Sequence, residues 1–370
     1  MPAPSDALFP YMFWAHEESF TAPYSLAQSG MPIPDLPDFS LGGLELLGYP
    51  TMEAQPAFEA AVAELFGLEP RRVLATIGAS GGMHLAAQRW FRGATVLVET
   101  PSYEPLRVLP EQAGGQVIPL RRRLEAGWEV DIDEVRRIAS EADGPCHIML
   151  TNPHNPTGQV TSAARLQALA AAVEPTGGVL VVCEAYMEYA PRNEDRVHAP
   201  LLAPNAVGIG TLTKAYGLGA LRAGWMLLGE GLASERDHLV DLHYLTWVDP
   251  PTPSLVAGTK ALKRLPELMR PIRAIEAESQ HHLHRWLRSS ALVESTVPPF
   301  GILSFPRVRG VEDTRALAVF LAERFEVGVV PGEAFDSPGH LRVACGVPEA
   351  TMVEALVRLE AGLQSWLEHA

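Results

Sequence analysis

Of the 29 basic side chains in this 370-residue chain, only three are lysines: Lys214, Lys260 and Lys263. Lys260 and Lys263 stand three apart on a helix-like stretch and read as ordinary solvent-facing residues. Lys214 stands alone in GTLTKAYGLGALRAGW (210–225), with Thr211 and Thr213 before it and Arg222 after it. Arginine is always charged and grips phosphate through a planar fork, whereas lysine can lose its proton and condense with an aldehyde. A lysine between hydroxyls and an arginine therefore suits an aldehyde cofactor that carries a phosphate. The substring GLGALR imitates a dinucleotide fingerprint but lacks the third glycine of GxGxxG, and no ribose-binding acid follows it.

A second motif, TNPHNPTG (151–158), directly follows a strand-like run. Two Asn-Pro steps and a Thr-Gly hold an extended turn at the carboxyl end of that strand, where open α/β sheets bind ligands. Asn155 would present its amide to a ligand oxygen there.

The elements that must position these groups follow from periodicity. Short apolar runs at VLATIG (73–78), ATVLVET (94–100), QVIPL (116–120), HIMLT (147–151), VLVVCEAY (179–186), AVGIGT (206–211) and AGWMLL (223–228) are spaced by Gly and Pro. Helical patterns at 81–91, 104–112, 131–140 and 162–173 lie between them. This alternation predicts an α/β fold with a mainly parallel sheet buried on both faces. Past Pro266 a long helical pattern reaches about Arg288, interrupted early by Pro271. GILSF, TRALAVFLAERF, EVGVV, HLRVA and a last helix from Pro348 then predict a smaller α+β unit. The expected division is an arm over 1–45, a large domain over 46–285 and a small domain over 286–370.

Composition narrows the setting. With 47% apolar and 20% charged residues the chain can bury a large core. A formal net charge of −15 argues against nucleic acid or an anionic membrane surface as partner. No apolar run approaches the ~20 residues of a membrane span, and the N-terminus lacks a signal peptide's basic start and apolar core. Cys146, Cys183 and Cys345 form no CxxC pair, which predicts neither a disulfide framework nor a metal site and makes the cytoplasm the expected compartment.

From about Tyr49 to the C-terminus the sequence resembles the fold type I pyridoxal-phosphate enzymes of the class I/II aminotransferase superfamily. NPxNPTG, the TxTK…R segment and PGEAF…HLRVACG, in that order, carry the resemblance. It implies an aspartate aminotransferase-like architecture, with a seven-stranded-type sheet in a large cofactor domain, and pyridoxal 5′-phosphate as cofactor. Lys214 would be the Schiff-base lysine and the acid–base group of the proton shift. Asn155 and Tyr186 would hydrogen-bond the cofactor's phenolic oxygen, and Tyr103 would stack on its ring. Gly78, Ala79, Ser80 and Gly81 match the phosphate loop, where free N–H groups and the helix dipole favour an anion. Thr211, Thr213 and Arg222 complete that phosphate site. Tyr49 matches a tyrosine that reaches the neighbouring subunit's phosphate, so a homodimer is expected. Arg342 matches the arginine that clamps the substrate α-carboxylate, and Gly30 would add a backbone N–H to the same group.

One position departs from the family. Where the motif reads Asp-Glu-x-Tyr, this chain reads Cys183-Glu184-Ala185-Tyr186. The family's aspartate pairs with the pyridine nitrogen and keeps it protonated, which lets the ring accept electrons. Three readings stay open: a neutral thiol beside an unprotonated ring, a thiolate stabilised by the pyridinium, or Glu184 bending in as substitute. The arm, FWAHEESFTAPYSLAQSGMPIP, resembles branches with specialised amino-acid chemistry, including cyclisation of modified arginine.

The functions to weigh are an aminotransferase working between an amino acid and a 2-oxo acid, a lyase, cyclase or synthase acting at the β or γ carbon, and a cofactor-binding protein without turnover. Arg121, Arg122 and Arg123 read as a solvated charged loop. His281, His282 and His284 read as solvent-facing residues of the long helix rather than metal ligands.

Overall fold

The computed structural model describes residues 8–14, 22–32, 51–192 and 195–369. An arm strand, β1 (Tyr24–Ser25), precedes the strands of the main sheet: β2 (Val73–Ile77), β3 (Thr95–Thr100), β4 (Gln116–Arg121), β5 (Cys146–Thr151), β6 (Leu180–Cys183), β7 (Ala206–Thr211) and β8 (Ala223–Leu228). They join in the order β2-β8-β7-β6-β5-β3-β4. Every apolar run expected to be a strand lies in this sheet. β3 to β7 pair in parallel, while β8 runs antiparallel to both its neighbours. The link between β7 and β8, 212–222, is too short for a crossover helix, so the chain must reverse.

Both faces of the sheet are covered, which is why its central strands are continuously apolar. Met149, Val181, Cys183, Val207 and Ile209 pack on one side with Met83, Leu85 and Ala86 of helix Gly78–Trp90. Ile148, Leu150, Leu180 and Val182 pack on the other with helices Ile132–Glu141 and Ala163–Val173. Strand alternation thus puts Cys183 and Glu184 on opposite faces.

Beyond the sheet, helix Leu265–Ser289 leads into β9 (Val293–Glu294), β10 (Leu303–Ser304), β11 (Arg307–Val308), β12 (Val327–Gly328), β13 (Val330–Pro331) and β14 (Leu341–Ala344). The interruption expected at Pro271 does not occur: the helix runs through it. Proline removes only one backbone bond there, and the buried Leu268, Ile272 and Glu276 hold the inward face on either side. β10, β14 and β13 form an antiparallel sheet. β1 adds to β12 in parallel, and Leu26 extends the seam by donating to Gly328 O at 2.7 Å and accepting from Ala344 N at 2.9 Å.

The arginine run is a second correction. Arg121 and Arg123 are exposed, but Arg122 is buried and pairs with buried Glu99 at 2.7 Å. Its partner lies on a neighbouring strand, so a local reading of the charge run could not find it. The histidines need a smaller one: His281 is exposed, His282 bonds Glu349 at 2.7 Å, and His284 is half-buried with its pKa pushed down to about 4 by burial and Arg288.

Candidate active site

Three adjacent strands end together. Thr151 of β5 lies beside Cys183 of β6, and Cys183 lies beside Ile209 of β7. Their carboxyl ends deliver the Asn155 loop, the Cys183–Tyr186 turn and the Thr211–Lys214 turn to one place.

Lys214 is fixed by its backbone and met by the arm. Its carbonyl accepts from Met31 N at 3.0 Å and from the Tyr189 hydroxyl at 3.1 Å. Its Nζ donates to Ser29 Oγ at 2.8 Å. Burial, then the charges of Arg342 and Arg222, press the amine's pKa down to about 8. A substantial fraction of it is therefore uncharged, and nucleophilic, just above neutral pH.

Next to it lies an anion cradle. Helix Gly78–Trp90, like helices Pro105–Gln112, Arg236–Thr246, Thr252–Leu262 and Leu265–Ser289, begins without a side-chain cap. Its first N–H groups are left for another acceptor. Gly78 has φ +64°, and a Cβ there would sit 2.6 Å from Arg222 Nη2. The guanidinium can lie against the backbone only because that atom is missing. Thr211 and Thr213 share a hydrogen bond at 2.9 Å, and Arg222 Nη1 reaches Thr213 Oγ1 at 3.5 Å. Ala79 is half-buried, Ser80 is exposed, and Gly81 packs under the Trp247 ring. Among the described residues no carboxylate pairs with Arg222.

Arg342, on β14, closes the other side. It is buried; Nη1 donates to Asn155 Oδ1 at 3.2 Å, and Nη2 donates to Tyr11 OH at 3.1 Å and Ala27 O at 2.9 Å. Its guanidinium lies 5.1 Å from the Phe335 ring and 5.8 Å from the Tyr11 ring. Among the described residues its Nε has no hydrogen-bond partner and its guanidinium no carboxylate counter-ion. A buried charge left in that state is costly unless a ligand supplies the anion.

Asn155 is held from below. Its N–H donates to Thr151 Oγ1 at 3.0 Å, and Thr151 donates through both N–H and Oγ1 to Glu99 Oε1 at 2.6 and 2.7 Å. Glu99 in turn meets Arg122. Burial raises the Glu99 pKa, and Arg122 opposes that shift. His154 bridges Pro101 O at 2.8 Å and Thr157 Oγ1 at 2.7 Å, and burial keeps it neutral.

Tyr103 and Tyr186 line the remaining wall. Burial raises both phenols far above their usual range, so both stay neutral. Tyr103 meets Phe9 and Tyr11 of the arm edge-on. Cys183 is buried between them and Lys214, and burial pushes its thiol up to about 11. Glu184 faces away: Oε2 binds His198 Nδ1 at 2.7 Å and Oε1 accepts from Ala199 N at 2.7 Å. The reading in which Glu184 bends in to replace the missing aspartate is therefore overturned.

Lys214, Arg222, Arg342, Asn155, Tyr103, Tyr186, Cys183, Thr211, Thr213, Gly78 and Gly30 thus surround one cleft, whose charges are close enough to shift one another's titration. Gly30 lies against the Thr213 and Lys214 carbonyls. Tyr49 lies outside the described residues. Sequence reasoning missed Ser29 and Tyr11, which sit in an arm without periodicity, and the Glu99–Arg122 pair with Thr151, which only the fold brings together.

The model of the family described as aminotransferase class I and II matches residues 37–359. The chain belongs to that family. Class I and II aminotransferases are pyridoxal-phosphate dependent, and the residues present fit that group. The uncapped helix with the Gly78–Arg222 contact suits its phosphate, and Lys214 suits its aldehyde. Within the family, this chain is 28% identical over 298 residues to capreomycidine synthase of Streptomyces vinaceus, which covers 79% of this chain and 74% of that protein. Its fold is similar to that of a PLP-dependent aminotransferase from Streptococcus suis 89-1591, with a TM-score of 0.85 and 22% identity over 99% of each chain. It is also similar to the PLP-dependent cyclase OrfR, with a TM-score of 0.82 and 25% identity over 99% of each chain.

Proposed function

We propose that this protein uses pyridoxal 5′-phosphate, bound through Lys214, to act on an amino acid, and that it is an aminotransferase exchanging the amino group with a 2-oxo acid. The observation that carries the reading is the buried Arg342, which among the described residues has no carboxylate counter-ion and an unpaired Nε, set across the cleft from a lysine of lowered pKa. The cofactor supplies an aldehyde that condenses with amines and a ring that draws electrons from the attached carbon.

The chain's own residues do the rest. Gly78, Ala79, Ser80 and Gly81 offer backbone N–H groups to the phosphate, and Thr211, Thr213 and Arg222 complete its grip. Asn155 and Tyr186 hold the phenolic oxygen, Tyr103 covers the ring, and Cys183 lies at its nitrogen. Arg342 clamps the substrate α-carboxylate through its free Nε side, with the Gly30 N–H assisting. That clamp would aim the Cα hydrogen at Lys214 Nζ, the group placed to accept that proton and hold it for return. An amine near pKa 8 is matched to that task at neutral pH.

The domain division proposed is an arm over 1–45, a large domain over 46–285 and a small domain over 286–370. The active form proposed is a homodimer in which Tyr49 reaches the partner's phosphate. Met52, Tyr244, Leu245 and Val248, apolar side chains left exposed on a single chain, support a covered surface. Three buried free cysteines are consistent with a cytoplasmic setting.

A second reading, a lyase or cyclase acting at the β or γ carbon, is favoured by Cys183 and by the likeness to a synthase and a cyclase. Absorbance separates the two readings. Amino donors should convert the bound cofactor to its amine form, and 2-oxo acids should restore it. Release of a leaving group with no such conversion rejects transamination. Lys214→Ala should abolish the visible absorbance of the loaded protein, and an unchanged spectrum would refute the lysine assignment.

A further inference from the structure

On the reading that Lys214 holds pyridoxal phosphate, we infer that Cys183 serves the pyridine nitrogen as a neutral thiol and that this protein binds the ring unprotonated at that nitrogen. Cys183 ends β6 on the sheet face that carries Val181, Val207 and Ile209, the face that opens toward Lys214 and Tyr186. Among the described residues no anion is available to take the missing aspartate's place. Glu184 is held on the opposite face by His198 and Ala199 N, and Gly208 packs beside its Oε2. Glu99 lies deeper, spent on Arg122 and Thr151.

Among the described residues three cations, Lys214, Arg222 and Arg342, reach the cleft, and the carboxylates that act on Cys183 (Glu184 and Glu99) are held by other partners. A phosphate brings up to about two negative charges and a carboxylate one, so those three are answered already. Protonating the ring nitrogen would add a further cation beside a side chain that carries no charge, in a low-dielectric enclosure. A thiol S–H donating to the nitrogen lone pair satisfies both partners without that charge. Burial of Cys183 acts in the same direction, holding its proton on sulfur.

The full-length protein, stripped of cofactor, is titrated with pyridoxal phosphate and with the analogue that has C–H in place of the ring nitrogen. The wild type should bind the two within about threefold of each other, whereas Cys183→Asp should prefer the nitrogen ring by about tenfold or more. With nitrogen-15 in the ring, the wild-type resonance should be that of a neutral pyridine, and Cys183→Asp should move it to that of a pyridinium. A wild type that prefers the nitrogen ring by about tenfold, or shows the pyridinium resonance, overturns the inference. If Cys183→Asp does not fold, the wild-type resonance decides alone. Binding of neither ligand overturns the cofactor reading itself, and the inference falls with it.

Discussion

Two buried arginines within one chain are treated in opposite ways. Arg122 pairs with Glu99 at 2.7 Å, donates to Trp128 O at 2.9 Å and reaches Thr161 Oγ1 at 3.3 Å. Arg342 donates only to neutral oxygens; among the described residues the Nε of both arginines lacks a partner, so the carboxylate alone separates them. The first has its counter-ion built in and belongs to the scaffold. The second has been taken out of water without one, which makes sense where a ligand brings the missing charge. A built-in carboxylate, rather than burial or complete hydrogen bonding, is what separates the two arginines.

The comparison can be broken by mutation. Glu99→Ala should cost about 3–5 kcal/mol of stability, because it strands Arg122 as an unpaired buried charge. A denaturant midpoint close to that of the wild type would show that the pair is not structural. Arg342→Leu should cost far less stability, because the variant removes a charge that had no counter-ion. It should still weaken binding of a substrate-like carboxylate by about a hundredfold. Equal losses of stability in the two variants would erase the distinction.

Two smaller effects sharpen it. Thr151→Val removes the hydroxyl that links Glu99 to the Asn155 N–H, so it should cost about 1–3 kcal/mol and loosen the Asn155 loop, read by hydrogen exchange. Arg342→Gln should raise the Lys214 pKa above about 8, because Arg342 is the largest charge cause of its depression. The pH profile of amine labelling in the cofactor-free protein measures it. The linkage sign follows. The folded pKa lies below the usual 10.5 of lysine, so the unfolded chain binds more protons between about pH 8 and 10.5, and stability rises with pH across that window. Arg342→Gln should narrow the window from its lower end.

Much of the fold was legible because each strand of the main sheet is a short apolar run with Gly or Pro close to at least one end, and burial on both faces requires an apolar run. Lys214, Asn155, Arg342 and Cys183 were legible because each sits in a motif whose neighbours set the register. Arg122 was not, since its partner Glu99 lies on an adjacent strand and a local run of three arginines looks solvated. Ser29 and Tyr11 were not, because the arm has neither periodicity nor a motif at those positions. Ser29 takes its place from the seam at Leu26, and Tyr11 from Glu104, which accepts its N–H at 3.2 Å. Pro271 misled because helix propensity is a weaker term than the burial of the face around it.

The antiparallel turn from β7 to β8 has one more effect. Lys214 and Arg222 ride on a single connection, 212–222, pinned at both ends by paired strands. On the function proposed above, in which Lys214 is the condensing amine and Arg222 grips the anionic tail, their spacing is thereby locked by chain length. New specificity in such a scaffold has to arise elsewhere, in the arm or the Asn155 loop, while any residue inserted between those two cations would put the cofactor out of step with its own anchor.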